Sequence, residues 1–341
     1  MKILLDTHML DQKQTGNERY WKNLSEVLEK FKKVEIIKYN LKPNNGLYRI
    51  FFGFNQTIKR FKPDILHVQN FTPIKKTLPI INTVHDLCFK SYPQFFSLKS
   101  NLAFNYFFER SLKLSDAIIC VSENTKNSLL NSYKINPKKI FVIYGAADKC
   151  FYWIKNKKEV KEKLFKKFKI KNDYFLVVGN IEKRKMSDKI VEVFGKFNKV
   201  FPGVDLILVG HNKLRIKENK SIKILGYVSD YDLNYLYNGA ISLIYLSFCE
   251  GFGLPLVEAM ATKTPIVCSD IPVFKEVVEK NNALFIRNEK ELFNSMKIFL
   301  ENNLIRDKYS VLSYKRSKFF SWEKTAWKTI KIYESVLKPK S

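Results

Sequence analysis

Short apolar runs alternate with longer amphipathic segments from one end of the chain to the other. Lys2–Asp6, Asp173–Val178 and Ile241–Leu246 are runs of the length that buried strands have. Glu18–Lys30 is amphipathic, and its apolar side chains recur at the spacing of one helical face. Regular alternation of strand-like and helix-like segments predicts parallel sheets with helices on both faces. The pattern therefore predicts an α/β protein built from doubly wound sheets.

The length of the chain predicts two domains. A chain of 341 residues is too long for one ordinary domain and suits two of roughly 150–170 residues. Lys155–Lys171 holds nine lysines and no strand signal, which is typical of a solvated helix and connector. We therefore expect a first domain over residues 1–170 and a second domain over residues 171–321.

The chain shows no signal for membrane insertion, secretion or disulfide cross-linking. No apolar run approaches the roughly 20 residues that cross a bilayer, and Lys2 and Asp6 place charges too early for a signal peptide. The five cysteines form an odd set without a Cys-x-x-Cys pair, which suggests neither a disulfide framework nor a zinc site. We expect a cytoplasmic protein with reduced cysteines.

The formal net charge of +27 has three explanations: nucleic-acid binding, attraction to an anionic membrane, or lysine-rich composition without a specific role. The basic residues are spread along the chain, without an arginine-rich patch or a nucleic-acid-binding motif, so nucleic acid is not expected as a partner. Cations near anionic lipid gain about 1 kcal/mol each. Membrane attraction and composition bias therefore both remain open.

Leu98–Leu114 is rich in Phe and Tyr at helical spacing, and is either a core helix or a membrane-surface helix. If it meets a membrane at the inner face, lysines 99 and 113 would attract lipid. Exposed rings would then dip into the interface, with candidates Phe95, Phe96, Phe104, Phe107 and Phe108. If it does not, the rings belong to the core.

Phe248–Ala261 predicts a strand end, a glycine-rich turn and a buried helix with Pro255 at its first position. The backbone amides of Gly251, Phe252, Gly253 and Leu254 would face outward at the positive end of the helix dipole. Such a turn is suited to binding phosphate.

Two acids lie near the glycines of this turn: Glu250 is in the turn itself, and Glu258 is in the helix that follows. Glu258 is a carboxylate among residues that favour burial, and a buried charge is costly unless it is hydrogen-bonded. A pair of ligand hydroxyls, such as those of a ribose, would supply those bonds. The alternative is that Glu258 only complements the helix N-terminus.

Polar residues follow several other predicted strands. Gly16 directly precedes the first helix, where a glycine lets backbone approach a ligand. His85 and Asp86 end the strand Pro79–Val84, and ligands of doubly wound sheets bind at such strand ends. Arg184 and Lys185 follow the strand that ends at Val178 and would clamp a diphosphate, unless they belong to a basic surface loop.

These motifs resemble those of the family 4 retaining glycosyltransferases. Glu250 and Glu258 reproduce the family's Glu-x7-Glu signature, and the opening Gly16-x-x-Arg19-Tyr20, the His85-Asp86 pair and the Arg184-Lys185 pair occur in the same order. The chain departs from the family at Gly145-Ala146-Ala147-Asp148, where Asn-Gly-Val-Asp is usual. It also has Asn180 where some relatives carry an additional arginine.

The resemblance implies the GT-B architecture: two Rossmann-like domains facing a central cleft, with the donor held mainly by the second. It also implies that the C-terminal helix, residues 322–341, packs back on the first domain. The reaction implied is transfer of a sugar from a nucleotide sugar with retention at the anomeric carbon. No catalytic nucleophile is assigned.

The resemblance also implies a role for each site residue. Glu258 would bind the ribose, Glu250 and the Gly251–Leu254 amides the sugar and phosphate, Arg184 and Lys185 the departing diphosphate, and His85 the sugar. Tyr227 and Val228 would lie beside the nucleotide base, and Gly16, Asp86 and Asn180 would complete the donor site. The two cations would do the work of a metal, so neither a metal nor a cofactor is expected besides the GDP- or UDP-linked substrate.

The nearest resemblance is to bacterial enzymes of surface polysaccharide and lipopolysaccharide synthesis that often use GDP-mannose. It implies mannose as the sugar, and a saccharide or lipid-linked saccharide as the acceptor, with the protein at or near the inner membrane face. Two alternatives remain: a hydrolysing nucleotide-sugar epimerase of the same fold, or a non-catalytic partner subunit that kept the fold.

Overall fold

The computed structural model describes residues 1–8, 10, 16–39 and 46–338. It divides into two compact units: Met1–Gly145 with Ser321–Ser341, and Ala146–Phe320. Each unit is built around one sheet of six parallel strands. The predicted α/β class is confirmed.

The strands follow the apolar runs of the sequence closely. They are β1 (Lys2–Asp6), β2 (Glu35–Tyr39), β3 (Ile65–Gln69), β4 (Ile80–Val84), β5 (Ala117–Cys120), β6 (Ile140–Val142), β7 (Asp173–Val178), β8 (Val204–Val209), β9 (Ile222–Gly226), β10 (Ser242–Tyr245), β11 (Ile266–Ser269) and β12 (Leu284–Ile286).

The helices cover the faces of the two sheets. They are α1 (Gly16–Leu28), α2 (Gly46–Tyr48), α3 (Phe54–Phe61), α4 (Cys88–Ser91), α5 (Leu98–Leu114), α6 (Glu123–Ser132), α7 (Lys157–Phe168), α8 (Ser187–Val200), α9 (Asp230–Gly239), α10 (Leu254–Ala261), α11 (Pro272–Val278), α12 (Glu289–Glu301), α13 (Asn303–Ser317) and α14 (Trp322–Leu337). A π-helical turn, Arg49–Gly53, joins α2 to α3.

Both sheets reverse their strand order once. The first runs β2-β1-β3-β4-β5-β6 and therefore reverses between β1 and β3. The second runs β12-β11-β10-β7-β8-β9 and reverses between β7 and β10. In doubly wound sheets, ligands bind outside the carboxyl ends of the strands at this point. The loops after β7 and β10 are therefore where a ligand of the second unit is expected.

The last helix belongs to the first unit, as expected. The Thr325 hydroxyl in α14 donates a hydrogen bond to the Tyr144 carbonyl, at 2.6 Å. The buried Tyr333 hydroxyl lies 2.6 Å from His67 Nδ1 in β3, and His67 Nε2 lies 2.8 Å from the Thr83 hydroxyl. Burial lowers the pKa of His67 to about 3. The imidazole is therefore neutral and ties α14 to the sheet.

The first unit ends earlier than the sequence suggested. The break lies after Gly145, whereas we expected it at residue 170. The lysine-rich helix α7 is not a connector, because Val160 and Leu164 are buried on its inner face. Tyr235 in α9 donates a hydrogen bond to Glu159 at 2.8 Å, and Lys167 donates one to Asp232 at 2.6 Å. Helix α7 is thus an integral part of the second unit.

Among the described helices, none combines the length and the apolar composition needed to cross a bilayer.

Candidate functional site

The loops after β7 and β10 lie side by side at the point where the second sheet reverses its strand order. The Arg184 carbonyl accepts hydrogen bonds from the Phe248 amide at 3.0 Å and from the Ser247 hydroxyl at 3.2 Å. The Ser247 amide donates in turn to the Ser269 hydroxyl at 3.0 Å. These bonds join segments that are far apart in sequence, and they bring the predicted cations and the predicted carboxylate together.

Lys185 and Glu250 form a buried ion pair at the centre of this region. Lys185 also donates to the Tyr245 hydroxyl at 2.7 Å, and its ammonium lies 4.5 Å from the centre of the Tyr245 ring. Arg184 donates to Glu250 at 3.1 Å and to the Cys249 carbonyl at 2.8 Å. One carboxylate therefore holds both of the predicted cations.

A second acid, Glu182, extends the ion cluster. Arg184 donates to Glu182 at 2.9 Å, and Lys213 donates to its other oxygen at 2.8 Å. The cluster then holds three cations (Arg184, Lys185, Lys213) and two carboxylates (Glu182, Glu250). The formal surplus of one positive charge favours an anion at this edge of the sheet.

Burial and pairing shift the pKa values in the cluster. Burial raises the pKa of Glu250, but Lys185 and Arg184 outweigh it, and the pKa is lowered overall. Burial lowers the pKa of Lys185, and Glu250 opposes this. Burial also raises the pKa of Tyr245 well above its ordinary value. At neutral pH, Glu250 is therefore a carboxylate and Tyr245 a neutral hydroxyl.

The glycine turn differs in detail from the prediction. Helix α10 begins at Leu254, so Pro255 is its second residue and not its first. The Leu256 amide donates to the Gly253 carbonyl at 2.9 Å, and proline has no amide hydrogen. Of the four amides predicted at the helix N-terminus, those of Gly251, Phe252 and Gly253 precede the helix, and Leu254 alone belongs to it.

Packing holds the turn in place. Gly253 has φ +96°, and a Cβ there would lie 3.0 Å from the Leu256 side chain. Phe252 is 7% exposed, and its ring contacts that of Phe320 with centroids 5.6 Å apart. Gly253 is therefore required by its conformation, whereas Phe252 anchors the turn to the unit.

Glu258 is 2% exposed, and its carboxylate accepts a hydrogen bond from the buried Tyr237 hydroxyl at 2.8 Å. It is the fifth residue of α10, beyond the first turn, so the helix N-terminus alone does not account for it. The sequence reasoning missed Tyr237. No local signal marks it, because Tyr237 lies 21 residues away in another helix.

The loop that follows β7 is closely packed against the loop that follows β8. Gly210 has φ +136°, and a Cβ there would lie 2.1 Å from the Gly179 carbonyl oxygen and 3.3 Å from the Asn180 amide nitrogen. Gly210 thus fixes the segment that leads to Asn180 and the cations, a role that the sequence reasoning did not predict.

The two predicted base-contacting residues have different surroundings. Tyr227 is 59% exposed, whereas Val228 is 6% exposed and belongs to the core. An exposed ring after β9 can stack on a planar base. Tyr227 therefore remains a candidate for contact with the base, whereas Val228 can only support the loop by packing in the core.

In the first unit, His85 follows β4 and is almost completely buried. Its ring contacts that of Tyr20 in α1, with centroids 5.0 Å apart, and its carbonyl accepts a bond from the Thr125 hydroxyl at 3.3 Å. Burial lowers the pKa of His85 to about 4, so it is neutral at pH 7. Its Nε2 atom finds no hydrogen-bond partner within the described ranges, and a ligand hydroxyl would satisfy it.

The two other predicted residues of the first unit are less distinctive. Asp86 accepts a bond from the Cys88 amide at 2.9 Å, which fixes the start of α4. Gly16 is exposed, and a Cβ there would meet nothing within 4 Å. The packing gives no reason for a glycine at Gly16, and Thr15, which precedes it in the motif, lies outside the described residues.

The sequence reasoning also missed a buried ion pair where the first sheet reverses its strand order. Asp6, the last residue of β1, is fully buried and pairs with Arg49, which is 4% exposed. His8 Nδ1 lies 2.8 Å from the second Asp6 oxygen. Although burial raises the pKa of Asp6, Arg49 and His8 outweigh it and lower the pKa overall. The signal in the sequence that could have indicated this ion pair was a charged residue, Asp6, at the end of an apolar strand.

No group of three or more possible metal ligands occurs in the part of the chain that the structure describes. The sequence has one Asp-x-Asp spacing, Asp230-Tyr231-Asp232, which offers two carboxylates of the kind that bind Mg²⁺. Here Asp232 accepts bonds from the Ser229 hydroxyl and from Lys167, which lies 2.6 Å away. The pair therefore belongs to the N-terminal turn of α9 and its packing on α7.

Two family models match the chain, one in each unit. Residues 16–149 match the model described as Glycosyltransferase Family 4, and residues 160–316 match the model described as Glycosyl transferases group 1. Together with the two parallel sheets, these matches define the class as glycosyltransferases with the GT-B fold.

Comparisons with individual proteins agree with that class. The chain is 33% identical to the O-antigen chain mannosyltransferase RfbU of Salmonella typhimurium, over 63% of this chain and 60% of that protein. It is 26% identical to the O-antigen chain mannosyltransferase B of Escherichia coli, over 81% of this chain and 76% of that protein. The match thus spans about three fifths of RfbU.

A solved structure agrees in fold. The sucrose-phosphate synthase of Thermosynechococcus elongatus superposes with a TM-score of 0.81 at 17% identity, covering 98% of this chain and 99% of that chain. The chain thus carries the domains of the family 4 and group 1 glycosyltransferase models, as its motifs indicated.

Proposed function

We propose that the protein transfers a sugar, most simply mannose, from a nucleotide sugar to a saccharide or lipid-linked saccharide, with retention at the anomeric carbon. The observation that carries this proposal is the ion cluster of Arg184, Lys185 and Glu250 at the point where the second sheet reverses its strand order. Two relatives are O-antigen chain mannosyltransferases, which supports the choice of sugar and a role in surface polysaccharide synthesis.

In this proposal the cations exchange one partner for another when the donor binds. Glu250 neutralises Lys185 and Arg184 in the free protein. Diphosphate oxygens would take over part of that role, because a diphosphate with one negative charge on each phosphate attracts both cations more strongly than one carboxylate does. Released from Lys185, the Glu250 carboxylate could accept hydrogen bonds from the sugar hydroxyls.

The cations would also supply the main catalytic effect. Negative charge grows on the leaving diphosphate as the bond to the anomeric carbon breaks. A buried ammonium already held by Tyr245 and Glu250 needs little reorganisation to stabilise that charge. The reaction would then need neither a metal ion nor a cofactor. Activity that is unchanged by a chelator such as EDTA is the expected result.

The remaining donor-site residues have roles that their surroundings support. Glu258 would bind ribose hydroxyls through the carboxylate that also accepts the bond from Tyr237, and the exposed Tyr227 ring would stack on the base. The Gly251–Leu254 turn would meet the phosphate, with Asn180 beside it. Through its Nε2 atom, His85 would bind a sugar hydroxyl as a neutral imidazole, with Asp86 in the adjacent loop and Gly16 at the start of α1.

A panel of nucleotide sugars tests the donor. Thermal shift should show stabilisation by one class of nucleotide, GDP-linked or UDP-linked, with GDP-mannose the expected best ligand. Slow release of free nucleotide without an acceptor would show that the bound donor is activated, and NMR of the released sugar would report its anomeric configuration. Tight donor binding without hydrolysis or transfer would instead favour a non-catalytic partner subunit. Hydrolysis of a UDP-sugar to free UDP and the free epimer of the sugar would favour the hydrolysing epimerase.

A further inference from the structure

A continuous strip of exposed rings crosses the surface of the first unit. Phe52 is 59% exposed, Phe51 is 42% exposed and Tyr106 is 68% exposed. The ring centroids are 6.3 Å apart for Phe51 and Phe52, 6.2 Å for Phe51 and Phe107, and 5.4 Å for Tyr106 and Phe107. Leu102, one turn before Tyr106 on α5, is 67% exposed and extends the strip. We call these five residues the aromatic strip.

The strip is not the ring set that the sequence suggested. Phe108 is fully buried, and Phe104 packs against the same core cluster. Phe95 stacks on Tyr92, and Phe96 is 39% exposed. Of the predicted rings only Phe107 joins it. The turn Arg49–Gly53 contributes Phe51 and Phe52 to the strip, and the sequence did not predict this turn.

Cations border the strip. The Ile74 amide donates to the Ile50 carbonyl at 3.0 Å, which places the exposed Lys75 beside the turn that carries Phe51 and Phe52. Lys59 is exposed on α3, about two turns beyond Phe52. Neither lysine forms an ion pair within the residues that the structure describes.

Lys59 and Lys75 differ from the two lysines that the sequence singled out. Lys113 is paired with Glu109 at 2.7 Å and is partly neutralised, and the side chain of Lys99 lies outside the described residues. Lys59 and Lys75 thus lie on the side of the π-helical turn.

We propose that the aromatic strip, with Lys59 and Lys75, docks the first unit onto an anionic lipid bilayer. Exposed aromatic rings bordered by cations are suited to the boundary between headgroups and acyl chains, where rings lie among the acyl chains and ammonium groups contact lipid phosphates. A second copy of the chain is a poorer occupant. A symmetric contact would bring the cations of both copies together without an opposite charge.

This inference goes beyond the proposed reaction, because none of these residues belongs to the candidate donor site. It gives the protein a surface through which it would reach a lipid-linked acceptor. It would hold even if the donor or the transferred sugar were different.

Vesicle co-sedimentation of the full chain tests the proposal. The protein should sediment with vesicles of equal parts phosphatidylcholine and phosphatidylglycerol, and should stay in solution with phosphatidylcholine alone. Added salt should weaken binding, because it screens the attraction between lysines and lipid phosphates. The double variant Phe51→Ser, Phe52→Ser should lower affinity for the anionic vesicles at least tenfold, and so should Lys59→Glu with Lys75→Glu.

Matched controls separate the strip from general surface charge. Phe165 in the second unit is 45% exposed and lies near Lys169 and Lys171, so Phe165→Ser removes a similar ring in a similarly basic setting. Lys217→Glu with Lys220→Glu makes the same charge change as the lysine variant at exposed positions of the second unit. Both control variants should bind vesicles like the parent.

Thermal unfolding and the nucleotide thermal shift, measured on every variant, show whether the fold and donor binding are intact. The proposal is overturned if the parent ignores anionic vesicles at low salt, or if the strip variants and the controls lose affinity equally. It is also overturned if the strip variants change only the oligomeric state in sedimentation velocity. A failure of donor binding in the parent would overturn the proposed function and leave this inference standing.

Discussion

Single side chains decide how charge is arranged at the candidate donor site. Lys185 is buried and already has two partners, Glu250 and Tyr245. These partners offset the free-energy cost of burying the ammonium in the ligand-free protein. They also fix its position before a ligand binds. A cation prepared in this way can act on charge that develops during the reaction, rather than on the ground-state donor alone.

Lys185→Ala should therefore lower kcat far more than it raises KM. The exposed Lys183 in the same turn supplies the matched control, because Lys183→Ala removes an ammonium of the same charge outside the ion pair with Glu250. Steady-state kinetics of both variants measure the difference. An effect of Lys185→Ala that is confined to KM would mean that the lysine only holds the bound donor.

Glu258→Ala should abolish nucleotide-sugar binding and leave the fold intact. Hydrogen bonds to a charged group contribute about 1.5–3 kcal/mol each, so losing one should weaken donor binding more than tenfold. Tyr237→Phe is the control, because it removes the hydrogen bond to Glu258 but keeps the carboxylate. Calorimetry would contradict the assignment if Glu258→Ala bound donor like the parent, or if the two variants lost the same affinity.

Arg49→Ala should destabilise the first unit by about 3–5 kcal/mol at pH 7, since it leaves the buried Asp6 charge without its main partner. In the parent, the pKa of Asp6 is lowered by folding, so its contribution to stability is present above the unfolded pKa of about 3.9 and is lost at lower pH. In the variant, burial raises that pKa, and the carboxyl is protonated in the folded state as pH falls.

Urea unfolding at several pH values measures this prediction. The difference in free energy of unfolding between parent and Arg49→Ala should shrink from pH 7 toward pH 4. Arg60→Ala, which removes an exposed arginine from α3, should have little effect at any pH. A gap that stays constant with pH would show that Arg49 contributes packing and not charge pairing.

At the scale of whole elements, the site depends on how closely neighbouring loops approach. The loop after β7 carries the cations, and it rests on Gly210 in the loop after β8. The loop after β10 carries Glu250, and it is tied to the Arg184 carbonyl by Phe248 and Ser247. The ion cluster is therefore held from both sides by backbone contacts, not by its charges alone.

Gly210→Ala should destabilise the second unit and lower donor affinity. The new Cβ would lie 2.1 Å from the Gly179 carbonyl oxygen, and φ at +136° is unfavourable for alanine, so the loop that leads to Arg184 and Lys185 must move. Gly195→Ala provides the contrast. It lies exposed within α8 and a Cβ there meets nothing within 4 Å, so alanine should stabilise the unit by roughly 0.5–1 kcal/mol.

Thermal unfolding and nucleotide thermal shift of these two glycine variants test the prediction together. If Gly210→Ala melted and bound nucleotide like the parent, the close approach of the two loops would have no role in the site.

At the scale of the whole molecule, α7 decides where one unit ends and the next begins. The segment before it is joined to α9, because the Tyr152 and Ile154 amides donate to Asn234 and Asn238 at 3.0 and 2.7 Å. Removing residues 146–170 would break these two hydrogen bonds and expose the apolar surface that Val160 and Leu164 cover.

A fragment of residues 146–320 should therefore fold cooperatively by itself, whereas a fragment of residues 171–320 should not. Circular dichroism and thermal unfolding of both fragments measure this. A sharp transition in the shorter fragment would support the boundary at residue 170 that the lysine-rich composition suggested.

The local pattern of the sequence predicted most of the secondary structure. Leu98–Leu114 forms a helix with the predicted bounds, and Lys2–Asp6 and Asp173–Val178 form strands with the predicted bounds. Apolar periodicity reports the burial of one face, and it does so within a single element. The strand β2 was missed for the same reason, because its buried and exposed residues alternate poorly.

The sequence by itself also determined which chemical groups stand at the ends of the strands, and therefore the family. Only the tertiary structure decided their partners. Lys185 and Glu250 lie 65 residues apart in the chain and meet because β7 and β10 are neighbours in the sheet. Glu258 meets Tyr237, Asp6 meets Arg49, and Phe107 meets Phe51 for similar reasons. Strand order and helix packing set these contacts, and they depend on the whole chain, whereas periodicity and motif spacing report only on its immediate neighbourhood.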